Sequence, residues 1–314
     1  MKISTLVDTY IDYKRSLGMR FRSDASTLRS LCRAMGDVEV DNVEPEAVLA
    51  FIAGRGPVTA YWRQKFRILG SFYRYALGRG YTATSPLPTS MPKFPPPLTP
   101  YIYSVSDLEK LLTATDILQT PNSPLQQASF RTLLLLLYST GLRISEALAL
   151  RLSDVDLGQQ LLTVRDTKFF KTRLVPIGPR LTTVLADYDS RRRRLPLPAG
   201  EGSSFLATRT GRQWHYRNVN KLFGRVREAA GIRRESSARY QPRIHDLRHT
   251  AAVHRVIAWY RAGANVQQLL PQLATYLGHV ELASTQRYLH MTTELLHEAN
   301  RRFEQYAKPE VRHE

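Results

Sequence analysis

Apolar residues recur along the first eighty positions at intervals of three and four. Leu6, Tyr10, Tyr13 and Leu17 make one stripe, and Leu28, Leu31, Cys32 and Met35 a second. Val48, Leu49, Phe51 and Ile52 make a third behind Pro45, and Phe66, Leu69, Phe72, Tyr73 and Leu77 a fourth. This is the helical period, and proline suits a first helical turn, so the pattern predicts a small four-helix unit. Arg15, Arg20, Arg22, Arg29, Arg33, Arg63, Lys65, Arg67 and Arg74 fall between the stripes and give it a basic exterior. From Ser85 to Pro100 the period stops and prolines crowd in at 86, 88, 92, 95, 96, 97 and 100. Proline fixes φ and has no N–H to donate, so neither helix nor central strand is expected there. The reading is a semi-rigid linker over 85–103, between a helical domain over 1–84 and a second domain over 104–314.

Helical periodicity resumes beyond the linker. Ser106 and Glu109 have the spacing of a capping box that opens a helix with Leu111 and Leu112. A long apolar helix is predicted from about Gln126 to Tyr138, broken at Thr140-Gly141, with a short helix from Arg143 to Leu150. Leu161–Val164 and Leu174–Ile177 read as two short strands joined by a tip over Arg165–Arg173. Helices follow from Arg180, and the run Arg191–Arg194 reads as a solvated helix end. Near the C-terminus, Leu295, Leu296, Ala299, Phe303 and Tyr306 form a last apolar stripe, which says what is buried but not against which chain. The expected fold class is mainly α with a small β-hairpin.

Composition narrows the function. Of 314 residues, 43% are hydrophobic and 23% charged, a balance that argues against wholesale disorder. Lys and Arg number 45 against 27 Asp and Glu, a formal net charge of +18. A field of that sign attracts a polyanion: nucleic acid first, an anionic membrane surface second. Cys32 is the lone cysteine, which excludes an intramolecular disulfide and a cysteine-built zinc site. The N-terminal segment carries Lys2, Asp8, Asp12 and Lys14, too much charge for a secretory h-region. The apolar run Leu133–Tyr138 is far short of the roughly 18 residues a membrane span needs. The expectation is a soluble intracellular protein.

Three short motifs carry candidate chemistry. In Thr140-Gly141-Leu142-Arg143-Ile144-Ser145-Glu146, Arg143 and Glu146 are neighbours on one helix surface. A cation at a helix start opposes the macrodipole, which makes sense if an anion shares the site; taken alone, an ordinary Arg/Glu surface pair explains it as well. In His245-Asp246-Leu247-Arg248-His249, His245 and Arg248 present an imidazole and a guanidinium on one face, the guanidinium matched to two phosphate oxygens. A metal set of His245, Asp246 and His249 is disfavoured because helical spacing splits them between faces. The third motif is Leu277-Gly278-His279, with Tyr288 nine residues after His279. Tyr288 by itself reads as an amphipathic tyrosine with its ring in the core.

Together, these residues suit attack of a tyrosine hydroxyl on a DNA phosphodiester. Two guanidiniums neutralise the charge that gathers on the non-bridging oxygens. A lysine on the hairpin tip protonates the leaving 5′-oxygen, and histidines move the remaining protons. A covalent phosphotyrosine conserves the bond energy, so rejoining needs neither ATP nor metal.

The ordered set Arg…Lys…His-x-x-Arg…His…Tyr resembles the tyrosine recombinases, the phage-integrase family, strongly over about 104–290 and loosely before that. The resemblance implies that Arg143, Lys168, His245, Arg248, His279 and Tyr288 are catalytic, with Glu146 supporting the site. Lys168 stands in Lys168-Phe169-Phe170-Lys171-Thr172-Arg173-Leu174-Val175-Pro176, similar to the family's hairpin lysine and the basic-apolar-proline stretch behind it. Phe169 and Phe170 replace small residues common at such a tip, and leave Lys171 as the alternative to Lys168. Lys171, Arg173, Phe169 and Phe170 are candidate DNA contacts. The family implies a two-domain C-shaped clamp, an N-terminal SAM-like helical core-binding domain with a catalytic domain, closed on double-stranded DNA. It also implies no cofactor, a dimer on DNA and a synaptic tetramer, a C-terminal helix able to dock in trans, possible accessory recombinases, and a cytoplasmic, nucleoid-associated place of action. The long interval from Arg248 to His279, with Trp259–Asn265 inside it, resembles recombinases of transposons and other mobile elements. A type IB topoisomerase-like enzyme, a non-catalytic DNA-binding protein of the same fold and a metal nuclease are the rival readings.

Overall fold

The computed structural model describes the chain except residues 97, 166–171, 236–237, 239, 279–282, 287, 289–292 and 308–314, and the side chains of 302 and 305–307. The described chain divides into two compact units, Met1–Leu98 and Thr99–Glu314.

The first unit is four helices: α1 (Ile3–Ser16), α2 (Arg22–Met35), α3 (Pro45–Ala53) and α4 (Ala60–Gly78). Each predicted stripe supplies one wall of its core. Leu6 and Tyr10, Leu28 and Leu31, Val48 and Ile52, and Leu69, Phe72 and Tyr73 are all buried. At about 1.5–3 kcal/mol for each large apolar side chain withdrawn from water, this burial is what holds four short helices together. Three members of the stripes fail: Leu17, which falls beyond α1, and Leu49 and Leu77 are exposed. Tyr10 packs edge-on against Phe21 and Phe72, centroids 5.6 Å away in each case, and so ties α1 to α4. The proline-rich stretch forms no helix or strand in its described residues. Its side chains are nevertheless used: Leu87 and Phe94 pack on this core, Phe94 lying 5.5 Å from Trp62.

Near the start of the second unit, Tyr103 is fully buried and its N–H donates to Thr250 Oγ1 at 3.0 Å. Helix α5 (Val105–Ala114) is capped by Ser104, which accepts from the Asp107 N–H while Asp107 accepts from the Ser104 N–H. The capping box therefore sits two residues earlier than Ser106–Glu109, because Asp107 serves as its acidic member as well as glutamate would. Then come α6 (Gln126–Thr140), α7 (Ile144–Ala149), β1 (Val155–Asp156), β2 (Leu161–Val164) and β3 (Arg173–Pro176). The strands form an antiparallel sheet in the order β1-β2-β3, with Leu161 opposite Pro176 and Val164 opposite Arg173. Two residues of β1 are too few to show a period, which is why the sequence pattern yields only the hairpin.

Helices α8 (Pro179–Arg193), α9 (Tyr216–Ala229), α10 (Asp246–Arg261), α11 (Val266–Leu277), α12 (Ala283–Gln286) and α13 (Thr293–Ala307) complete the unit. The apolar α6 runs through the centre, with Leu133, Leu134, Leu136 and Leu137 all buried. Arg192 departs from the expected solvated run: it is buried, and its Nη2 donates to the Pro198 carbonyl at 2.6 Å. Helix α13 packs on α10 of its own chain. Leu295 is fully buried with Val253 and Tyr288, and Arg261 pairs with Glu294 and Glu298 at 2.6 and 3.2 Å. Leu296 and Phe303 of the same stripe remain exposed. No described helix is long and apolar enough to cross a membrane.

Candidate active site

Two helix ends build the site. A helix finishes with carbonyls that have no intrahelical partner and with the negative end of its dipole, so its C-terminus attracts cations. Helix α6 ends at Gly141 and α11 at Gly278, both left-handed, with φ of +62° and +70°. The carbonyls freed there take up the arginines. Arg248, on the first turn of α10, donates from Nη1 to the Gly141 carbonyl at 2.5 Å and from Nη2 to the Leu277 carbonyl at 2.7 Å. Arg143, the residue before α7, donates from Nη2 to the next carbonyl, that of Gly278, at 3.1 Å. Two guanidiniums from distant parts of the chain thus rest on successive peptide groups.

Glu146 is the carboxylate of this cluster. Its Oε2 accepts from the Arg143 backbone N–H at 2.9 Å, which caps α7, and its Oε1 accepts from Arg143 Nη1 at 2.9 Å. Arg173, the first residue of β3, adds a bidentate pair: Nη1 to Oε1 at 3.1 Å and Nη2 to Oε2 at 2.9 Å. Burial pushes the Glu146 carboxyl up, but the hydrogen bonds from Arg173 and from the Arg143 backbone outweigh it and hold the carboxyl below its ordinary value. Arg143 and Arg173 share this one carboxylate and Arg248 stands beside them, so the cluster carries surplus positive charge. Arg248 registers the crowding: burial first, then the Arg143 charge, pull it down to about 10, while Tyr288 and Glu146 act in the opposite direction. It stays protonated at neutral pH, and an anion placed between the cations relieves their repulsion.

A chain of rings borders the arginines. His245 precedes α10, and its ring meets that of His249 edge-on at 5.1 Å; His249 in turn lies 5.6 Å from the Tyr288 ring. The two histidines, four apart, share a face rather than being split, while Asp246 turns away to Arg243, accepting at 2.7 Å from Nη2 and at 3.0 Å from the backbone N–H. Burial chiefly, helped by Arg248 and Arg243, lowers the His245 pKa, so the imidazole is neutral near pH 7 and able to accept a proton. Tyr288 follows α12 and is buried in the α10–α11 core.

The structure therefore brings together Arg143, Glu146, His245, Arg248 and Tyr288. Arg173, a candidate DNA contact from its place on the hairpin, spends both terminal nitrogens on Glu146 and is largely buried. Lys168, Phe169, Phe170, Lys171 and His279 lie outside the described residues. Sequence reasoning named His249 only in a disfavoured metal set and missed its place between His245 and Tyr288; its spacing of four from His245 was the available signal. The hold of Arg173 on Glu146 had no such signal, because it joins a strand to a helix 27 positions away.

Residues 106–294 match the phage integrase family. The integrase/recombinase-type protein y4rB of Sinorhizobium fredii is 32% identical over 95% of this chain and 96% of its own length. The tyrosine recombinase XerC of Oceanobacillus iheyensis is 28% identical over 95% of each chain. Among solved structures, the Tn1549 transposon integrase in complex with transposon right-end DNA shares the fold with a TM-score of 0.70, at 18% identity over 98% of this chain and 100% of that one. The chain belongs to the phage integrase family, and with it to the site-specific DNA recombinases, enzymes that break and rejoin DNA.

Proposed function

We propose that this recombinase cuts duplex DNA by attack of the Tyr288 hydroxyl on a scissile phosphate held by Arg143 and Arg248. The observation that carries the reading is the seating of those two guanidiniums on the successive carbonyls of Leu277 and Gly278, with the Tyr288 ring one histidine away. The non-bridging oxygens of the phosphate take the surplus positive charge of the cluster. The phenolic oxygen bonds to phosphorus as the bond to the 5′-oxygen breaks. His245, neutral and beside Arg248, and His279 serve the protons of the phosphoryl group and the nucleophile. Lys168, with Lys171 as the alternative, protonates the leaving 5′-oxygen. The products are a 3′-phosphotyrosine and a free 5′-hydroxyl, and rejoining is the reverse attack by a 5′-hydroxyl of the partner strand. Because Tyr288 is buried with α10 and α11, it leaves that packing when DNA is engaged.

Exchange of two strand pairs through a Holliday junction calls for more than one copy of the chain. The lambda integrase, similar in fold, has been solved as a dimer on a core site and as a tetramer on a Holliday junction. In this chain the exposed Leu296 and Phe303 offer apolar surface for a neighbouring protomer. A cleft of about 810 Å³ behind Gly141 and Leu277, lined by Tyr138, His254, Trp259 and Tyr276, is a suitable acceptor. The basic helical unit over 1–84 contributes phosphate contacts, and the enzyme acts in the cytoplasm on nucleoid DNA.

The test is a nicked suicide substrate carrying the enzyme's target, incubated in EDTA and run on a denaturing gel. The expected result is a covalent protein–DNA adduct that disappears in Tyr288→Phe while DNA binding is retained. An adduct that survives Tyr288→Phe, or cleavage abolished by EDTA, overturns the reading, the second in favour of a metal nuclease. Relaxation of any supercoiled plasmid by a monomer points to a topoisomerase instead.

A further inference from the structure

The β2–β3 hairpin is anchored on both legs just below its tip. Val164 and Arg173 form the last rung of the ladder. On the β2 side, the next residue, Arg165, donates from Nε to Asp154 Oδ1 at 2.5 Å, and Asp154 is buried. On the β3 side, Arg173 grips Glu146 with both terminal nitrogens. A planar fork on a carboxylate fixes distance and direction together, which a point cation does not. Glu146 is the same carboxylate that holds the side chain and backbone of Arg143.

Arg173 also fills a space that only glycine leaves open. A Cβ on Gly278 would lie 2.8 Å from Arg173 Nη1 and 2.9 Å from Cζ, so the guanidinium lies against the bare Cα of that residue. The Gly278 carbonyl accepts from Arg143. Arg173 thus touches both supports of Arg143: its carboxylate and the turn that provides its carbonyl. Each terminal nitrogen keeps a second N–H, but the contacts the guanidinium makes are internal ones, to the shared carboxylate and the Gly278 turn.

We propose that Arg173 is a positioning residue that makes the hairpin part of the phosphate site. It holds Glu146 and the Gly278 turn so that Arg143 is preset for the phosphate only while the hairpin is seated. The inference rests on the recombinase reading for its catalytic readout, and it reassigns Arg173 from DNA contact to internal clamp. Its consequence is that the setting of Arg143 depends on strand β3.

The experiment compares wild type, Arg173→Lys and Arg173→Met in the full chain. DNA affinity is measured by mobility shift and adduct formation by single-turnover kinetics on the suicide substrate. Arg173→Met is expected to bind DNA within about twofold of wild type and to form adduct about 10–10²-fold more slowly, the scale of an ångström's misplacement of a catalytic group. Arg173→Lys, able to keep one of the two contacts, falls between. In combination with Glu146→Gln the loss is no greater than that of the more damaging single change, since both break one clamp. A scissile methylphosphonate, which lacks the charge Arg143 neutralises, narrows the deficit of Arg173→Met as it narrows that of Arg143→Ala. A partly unfolded variant would lose both substrates equally. A Kd raised as steeply as the rate falls, additive losses with Glu146→Gln, or a deficit unchanged on methylphosphonate overturns the proposal.

A second measurement needs no DNA chemistry. Nitrogen-15 relaxation of the Arg143 Nε is expected to report a restrained side chain in wild type and a mobile one in Arg173→Met. Equal mobility in the two overturns the clamp. Absence of any adduct in wild type, with the relaxation difference present, sinks the recombinase reading and leaves the clamp standing.

Discussion

Replacing Glu146 by glutamine keeps the side chain's shape and removes its charge. In the native site the two carboxylate oxygens accept four hydrogen bonds, two from Arg143 and two from Arg173, at 2.9–3.1 Å. A glutamine has one oxygen and one NH2 group, so whichever way the amide is turned, two donors face a donor. At about 1.5–3 kcal/mol for each hydrogen bond to a charged group, two losses come to about 3–6 kcal/mol. The independent measure, removal of one partner of a buried ion pair, gives about 3–5 kcal/mol. The side chain is only 7% exposed, so solvent offers little relief. Glu146→Gln is therefore expected to lower the melting temperature of the catalytic unit by about 6–20 °C at neutral pH, at 2–4 °C per kcal/mol for a domain of this size.

The pH dependence supplies a sharper check. The Glu146 carboxyl sits below its ordinary value in the folded protein. Its contribution is present in full above the unfolded glutamate value of about 4.3 and is lost as pH falls through the folded value. Circular-dichroism melts of wild type and Glu146→Gln should stand apart from pH 7 down to about 5 and converge in stronger acid. A gap under about 1 kcal/mol at pH 7, or one that does not close in acid, refutes the account of Glu146 as a charged clamp between arginines.

Arg143→Ala and Arg248→Ala should each slow adduct formation by about 10²–10³, the cost of removing one donor from a charge-stabilising site. They should part in stability: Arg248 is fully buried on two helix-end carbonyls and its loss lowers the melting point, whereas the half-buried Arg143 costs less. Gly141→Ala forces a left-handed alanine, about 1–2 kcal/mol, and sets a Cβ 2.5 Å from the Leu277 side chain, whose backbone carbonyl holds Arg248. Urea unfolding should show at least that loss, and a variant as stable and active as wild type contradicts the helix-end account. Lys168→Ala should slow cleavage at a normal 5′-oxygen and recover with a 5′-thiol leaving group, which needs no proton. Lack of recovery moves the acid to Lys171.

Much of this protein can be read without folding it. The helical stripes of α1 to α4, the apolar α6, the breaks at Gly141 and Gly278 and the alternation of β2 and β3 are local, because a helix or strand advertises its buried face by its own period. The identities of Arg143, Glu146, His245, Arg248 and Tyr288 were legible as an ordered set, since that chemistry demands those side-chain types wherever the chain supplies them. Their order, however, carried no distances. That Arg248 and Arg143 occupy neighbouring carbonyls depends on α6 and α11 ending at one place, which packing decides and no window of sequence contains. The same holds for the clamp of Arg173 on Glu146, for His249 between His245 and Tyr288, and for the buried Arg192. Each joins elements whose approach is set by the shared apolar core, and a charged residue shows its partner only once that core has brought the two within hydrogen-bonding reach.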